Sequence, residues 1–316
     1  MGMSPRYEKV AIIGLGLIGG SLGFAIKRGD LAGCVAGYAS SEATRARGLE
    51  RGFIDEAAAS VADAVKDADL VILCTPVGAL EALAIEMKPV LKAGATVTDV
   101  GSVKAAVVRD IGPHIPPGVH FIPGHPVAGT EESGPDAGFA ELFEGRWTIL
   151  TPVEGSDENA VRKLELFWEA CGAKVAVMEA GQHDLTLAIT SHVPHLIAYT
   201  MVGVAADLEK VTQADVTKFA AGGFRDLTRI AASDPTMWRD IFLNNKDATI
   251  EMLGRFIEEL MALQRAIRWD DGQTLFDRFT RTRAIRRQII AAGQDSPAPN
   301  FGRNPQHLTP AAKDEE

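Results

Sequence analysis

From Val10 to Gly29 the chain reads VAIIGLGLIGGSLGFAIKRG: a β-branched apolar run, a cluster of glycines, then apolar residues at helical spacing. So abrupt a change of period admits few structures other than strand, tight turn and helix. Gly14, Gly16 and Gly19 supply the spacing GxGxxG. The first glycine permits the turn, the second lets backbone approach a pyrophosphate, and the third lets helix pack closely on strand, with phosphate at the helix N-terminus. Leu17 and Ile18 within the motif, and Thr75 and Pro76 after a later strand, are counted with these glycines as expected cofactor-binding residues.

Short apolar runs recur at 34–38, 70–74, 96–100 and 119–122, separated by helix-like segments such as Ser41 to Arg51 and Val77 to Leu91. This alternation predicts an α/β fold, a Rossmann-type doubly wound, mostly parallel sheet. WTILT at 147–151 and KVAVM at 174–178 are expected to extend the same sheet. After Gly181 the strand signals stop, and long apolar-periodic stretches predict helices at 183–207, 214–221, 235–244, 247–268 and 274–292. The expected organisation is a dinucleotide-binding domain over 1–180 and an all-α substrate and dimerisation domain over 181–293. Residues 294–316, rich in Pro, Gly and polar side chains, are expected to form a disordered tail.

A length of 316 residues with 46% hydrophobic side chains can bury the cores of two domains. The net charge of −10 offers no basic stripe for a nucleic acid. Neither a signal peptide nor an apolar run of membrane-spanning length is read, so the expectation is a cytoplasmic protein without a membrane partner. Cys34, Cys74 and Cys171 have neither disulfide nor zinc spacing, and no metal is expected.

The carboxylate that commonly holds the ribose at the end of the second strand is missing, because Ala39 stands in GYASSEATRAR. Ser40 or Ser41 could bond a ribose hydroxyl, and Arg45 or Arg47 could pair with a 2′-phosphate. NAD is favoured, with NADP open.

Four further stretches bear chemistry. DVGSVK at 99–104 puts Ser102 and Lys104 at the carboxyl edge of the sheet, where ligands of such folds bind. GHPVAGTEESG at 124–134 places His125 in a loop beside that edge, held extended by Pro126. SHVPH at 191–195 sets His192 and His195 on one helical face, with Pro194 kinking the helix and Asp184 close enough to orient an imidazole. AGGFRDLTRIAASDPTMWRDI at 221–241 adds Arg225, Arg229, Arg239 and Trp238.

GLGLIGGS, DVGSVK, GHPVAGTEESG, HDLTLAITSHVPH and GGFRDLTRIAASDPTMWRDI, in that order, resemble the prephenate/arogenate (cyclohexadienyl) dehydrogenases of tyrosine biosynthesis. The resemblance implies hydride transfer from the hydroxyl-bearing ring carbon of prephenate or arogenate to nicotinamide, with loss of CO2. It implies His125 as the acceptor of the hydroxyl proton, with Ser102 on the same oxygen, and Arg229 gripping the ring carboxylate. His192 and His195 would line the pocket with Asp184 behind them, and Lys104 would add positive field. It further implies a homodimer interlocked through the helical domain, in which Gly222 and Trp238 enter the neighbour's site, and a gate formed by Glu131 pairing with Arg229. The short, polar tail is not expected to form a regulatory domain. Two alternatives are a β-hydroxyacid-dehydrogenase-like reductase, which would use a helix lysine where SHVPH offers histidines, and a dinucleotide sensor without chemistry, which has no need of His125, Ser102 and Arg229 together.

Overall fold

The computed structural model describes residues 5–130, 132–213 and 215–291. In chain order its first half runs β1 (Tyr7–Ile13), α1 (Leu17–Gly29), β2 (Ala32–Tyr38), α2 (Glu42–Arg51), β3 (Glu56–Ala57), α3 (Val61–Val65), β4 (Leu70–Leu73), α4 (Leu80–Met87), β5 (Thr96–Asp99), α5 (Ala105–Ile111) and β6 (His120–Phe121). The strands form one parallel sheet in the order β3-β2-β1-β4-β5-β6. Side chains alternate along β1: Val10 and Ile12 join the core that holds Leu22, Phe53 and Trp168, while Ala11 and Ile13 join the opposite one with Leu80 and Val107. Two covered faces explain why the strands read as unbroken apolar runs.

β7 (Gly124–Pro126), β8 (Trp147–Leu150), α6 (Glu158–Ala170) and β9 (Lys174–Val177) follow. Here the structure corrects the sequence: WTIL and KVAV do not extend the main sheet but form a second, three-stranded sheet, β7-β8-β9. The segment expected as a loop around His125 is its edge strand, antiparallel to β8. The cause lies beyond local pattern. The N–H of Gly124 donates to Asp99 Oδ1 (3.1 Å) and its carbonyl accepts from Lys104 Nζ (2.6 Å), so a buried ion pair at the end of β5 turns the chain into a new sheet.

The helical part comprises α7 (Ala180–Leu187), α8 (Val193–Thr212), α9 (Gly222–Thr228), α10 (Pro235–Asn244), α11 (Lys246–Arg268) and α12 (Gly272–Ala291). Residues 188–192, Ala188 to His192, form a π-helical turn joining α7 to α8. Pro194 lacks the N–H that a regular helix would direct at residue 190, and the wider turn accommodates this break. The stretch expected as a helix at 214–221 holds only a 3-10 turn, Thr217–Phe219, among the described residues. Ala180–Thr212 is one helical segment whose best 18-residue window reaches a mean hydropathy of 1.3, which corrects the reading that no such run exists. His183, Asp184 and His192 on it are buried and hydrogen-bonded to protein groups.

The chain divides into two compact units, Met1–Leu253 and Gly254–Glu316. In the first, Trp238 and Ile241 of α10 complete the core beneath β4 and β5. In the second, Arg278 of α12 donates to Glu259 of α11, and Asp271 accepts from the Thr274 N–H at 3.0 Å, capping α12. Residues 294–316 lie outside the described residues.

Candidate active site

The glycine turn has the stereochemistry its spacing requires. Gly14 has φ +105°, and a Cβ there would meet the Cys74 carbonyl oxygen at 2.5 Å. A Cβ on Gly19 would lie 1.9 Å from the Gly14 oxygen, so this glycine sets the approach of α1 to β1. Nothing lies within 4 Å of a Cβ at Gly16, the residue at the N-cap of α1. The helix start therefore opens onto space, with no side chain capping its N–H groups. Thr75, just past β4 on the same edge, carries a buried hydroxyl with no partner in the structure. Open space, uncapped N–H groups and an orphan hydroxyl fit a dinucleotide pyrophosphate.

At the end of β2, Arg45 donates to the carbonyls of Ala39 (2.5 Å) and Ser40 (3.2 Å) and lies over the Tyr38 ring. Arg47 pairs with Asp136 and Glu50.

Across the carboxyl edge, Lys104 and Asp99 form an ion pair with both side chains fully buried. Lys104 was expected to present its charge to a ligand. Its ammonium instead turns inward to Asp99 and the Gly124 carbonyl, so its field reaches the site through His125. Asp184 makes no direct side-chain bond to His192 or His195, although its charge favours the cationic form of His192. It accepts from the N–H groups of Lys104 (2.7 Å) and Ala105 (2.9 Å) and from His183 Nδ1 (2.8 Å).

His125 is 7% exposed, with Nδ1 2.8 Å from Nε2 of His183. Burial, reinforced by His183, Lys104 and His192, lowers its pKa well below the usual imidazole value, so the ring is neutral at pH 7. His192 is fully buried and also neutral, its pKa pushed down to about 4 by burial. Asn245 Nδ2 donates to its Nδ1 at 3.1 Å, which puts the ring proton on Nε2, beside the Ser102 backbone. His195 stacks on Trp238 with ring centroids 3.5 Å apart, and Trp238 meets His192 edge-on at 6.0 Å. The Trp238 ring thus lies against two histidines of its own chain.

Arg229 opens the turn after α9, close enough to His195 for its charge to help hold that ring neutral. His125, His192, His195 and Arg229 lie in succession, each near enough for a charge on the next to lower its pKa. Gly222 starts α9, and Arg239 pairs with its neighbour Asp240. Glu131 lies outside the described residues. His183, Asn245 and Asp99 were missed in the sequence. The available signals were an adjacent His-Asp pair inside an apolar helix and an Asp closing an apolar strand.

A glycine-turn dinucleotide site beside a neutral histidine and an arginine defines a nucleotide-dependent dehydrogenase. The chain belongs to the prephenate dehydrogenase family: models of its nucleotide-binding and dimerization domains match residues 22–177 and 179–281. It is 41% identical to the cyclohexadienyl dehydrogenase of Zymomonas mobilis over 280 residues, 89% of this chain and 95% of the relative. It is 35% identical to the prephenate dehydrogenase of Bacillus subtilis over 303 residues, 95% and 80% of the two chains. Among solved structures it resembles prephenate dehydrogenase from A. aeolicus in complex with hydroxyphenyl propionate and NAD+. The TM-score is 0.84 at 33% identity, covering 92% of this chain and 99% of the other. Synechocystis arogenate dehydrogenase follows with a TM-score of 0.76 at 28% identity, covering 89% and 99%.

Proposed function

We propose that this enzyme oxidises and decarboxylates prephenate or arogenate, giving 4-hydroxyphenylpyruvate or tyrosine with reduction of a nicotinamide cofactor. The observation that carries the reading is His125, a buried neutral imidazole at the carboxyl edge of the sheet, with His192, His195 and Arg229 near by in succession. When bound, the dinucleotide accepts the hydride. Nε2 of His125 takes the proton of the ring hydroxyl, and Ser102 holds the same oxygen. Arg229 holds the ring carboxylate that departs as CO2, a grip that must loosen as the charge disappears. His195, His192, Gly222 and Trp238 shape the pocket.

NAD is the cofactor favoured. Arg45 is already engaged by two backbone carbonyls, and Arg47 by two carboxylates, which leaves a 2′-phosphate poorly served. The functional unit is a homodimer. Val204, Leu208 and Val211 of α8 are 61%, 48% and 81% exposed, an apolar surface suited to a second copy. Absorbance at 340 nm with prephenate or arogenate against NAD+ or NADP+ tests all four combinations. Turnover is expected with NAD+ and at least one substrate; none in any combination overturns the reading.

A further inference from the structure

One member of the histidine cluster has no task in this scheme. His183, fully buried on α7, lies between His125 and Asp184, with a 2.8 Å contact on each side. Asp184 accepts two backbone N–H bonds besides the one from His183, and these bonds hold its carboxyl below the usual carboxylate range. An ionised carboxylate only accepts, so Nδ1 of His183 carries a proton. Nε2 of His183 is then bare and accepts from the Nδ1–H of His125. Nε2 of His125 is left without a proton, as a base acting on a hydroxyl must be.

The electrostatics set a difficulty for a base acting alone. Taking a proton makes His125 a cation among desolvating walls, with the Lys104 ammonium and His192 close by. His183 also feels burial and Lys104, but unlike His125 it bonds Asp184, and Asp99 adds further negative charge. The cation is better placed one ring deeper.

We propose that His183 is the positioning residue that fixes the His125 tautomer and then takes over its positive charge. As the ring hydroxyl gives its proton to Nε2 of His125, the Nδ1–H bond of His125 breaks and an Nε2–H bond forms on His183, leaving an imidazolium against Asp184. The hydride leaves the ring carbon as its carbonyl forms. When the bond to CO2 breaks, the electron pair enters the ring and returns to oxygen, which recovers the proton by the reverse shift. No net proton is released, so a relay walled off from solvent is sufficient.

This inference rests on the dehydrogenase reading, but its first test needs no substrate. Nitrogen-15 NMR of histidine-labelled wild-type protein at pH 7 reads ring tautomers directly. His125 and His183 are both expected to carry the proton on Nδ1; an Nε2–H tautomer at His125 overturns the proposal. His183→Gln then separates orientation from proton transfer, because its side-chain oxygen can accept from His125 but cannot become a cation. With prephenate and NAD+, kcat should fall about 10- to 100-fold, with KM and cofactor affinity within about twofold. Full kcat in a folded His183→Gln protein overturns the relay. Should that variant fail to fold, the wild-type tautomers decide. Lack of turnover by the wild-type enzyme would count against the functional reading instead, and is seen separately from the NMR result.

Discussion

Lowering the pH from 7.5 to 5 should destabilise this protein through His192, by an amount the structure fixes. The ring is fully buried, and its Nδ1 already accepts from Asn245, so protonation would cost solvation and set two donors face to face. Asp184 favours the cation, but burial outweighs it and pulls the pKa from the ordinary 6.5 to about 4. Between those values the unfolded chain binds a proton that the folded chain refuses. Stability is therefore whole above pH 6.5 and falls as the pH drops towards 4. At pH 5 the loss from this residue comes to about 2 kcal/mol. Urea unfolding followed by circular dichroism at both pH values, for wild type and His192→Gln, measures it. The wild type should lose about 2 kcal/mol more than the variant, since the other acid-sensitive groups are common to both. Equal losses would refute the assignment of a neutral His192.

Lys104→Met should cost about 3–5 kcal/mol in unfolding free energy, because it leaves Asp99 charged in the interior; Lys104→Met with Asp99→Asn should recover most of it. The second and third glycines of the turn should behave oppositely. Gly16→Ala meets open space and should cost under about 1 kcal/mol while weakening NAD+ binding measured by calorimetry. Gly19→Ala drives a methyl into the Gly14 carbonyl and should cost roughly 3 kcal/mol or more. Arg229→Ala should raise KM for prephenate about 10- to 150-fold in steady-state assays; an unchanged KM would remove this arginine from the substrate.

What the sequence disclosed was whatever a short stretch specifies by itself. The turn at Gly14 to Gly19 is local: strand period, glycine spacing and helix period stand within about twenty residues, and the structure keeps each of them. α10 begins at Pro235 behind Asp234, whose carboxylate caps Met237 at 2.8 Å, a start signal legible in the chain. β7 was not legible, because three residues carry no period and its partner β8 lies more than twenty residues on. The contacts of Lys104 and Asp184 were not legible for the same reason. Lys104 looks like a ligand group at a sheet edge until Asp99 and Gly124 close around it, and Asp184 serves its immediate neighbour His183. His183 and His125 are 58 positions apart in the chain, so only folding reveals that they touch.

The central claim is that His125 accepts the substrate's proton and does little to hold the fold or the cofactor. The most direct measurement is kcat for NADH formation from saturating prephenate by His125→Asn, alongside its NAD+ affinity and melting temperature. The expected result is a loss of about 10²- to 10⁴-fold in kcat with cofactor affinity and melting temperature preserved. Turnover at the wild-type rate in a variant that lacks the imidazole would contradict it.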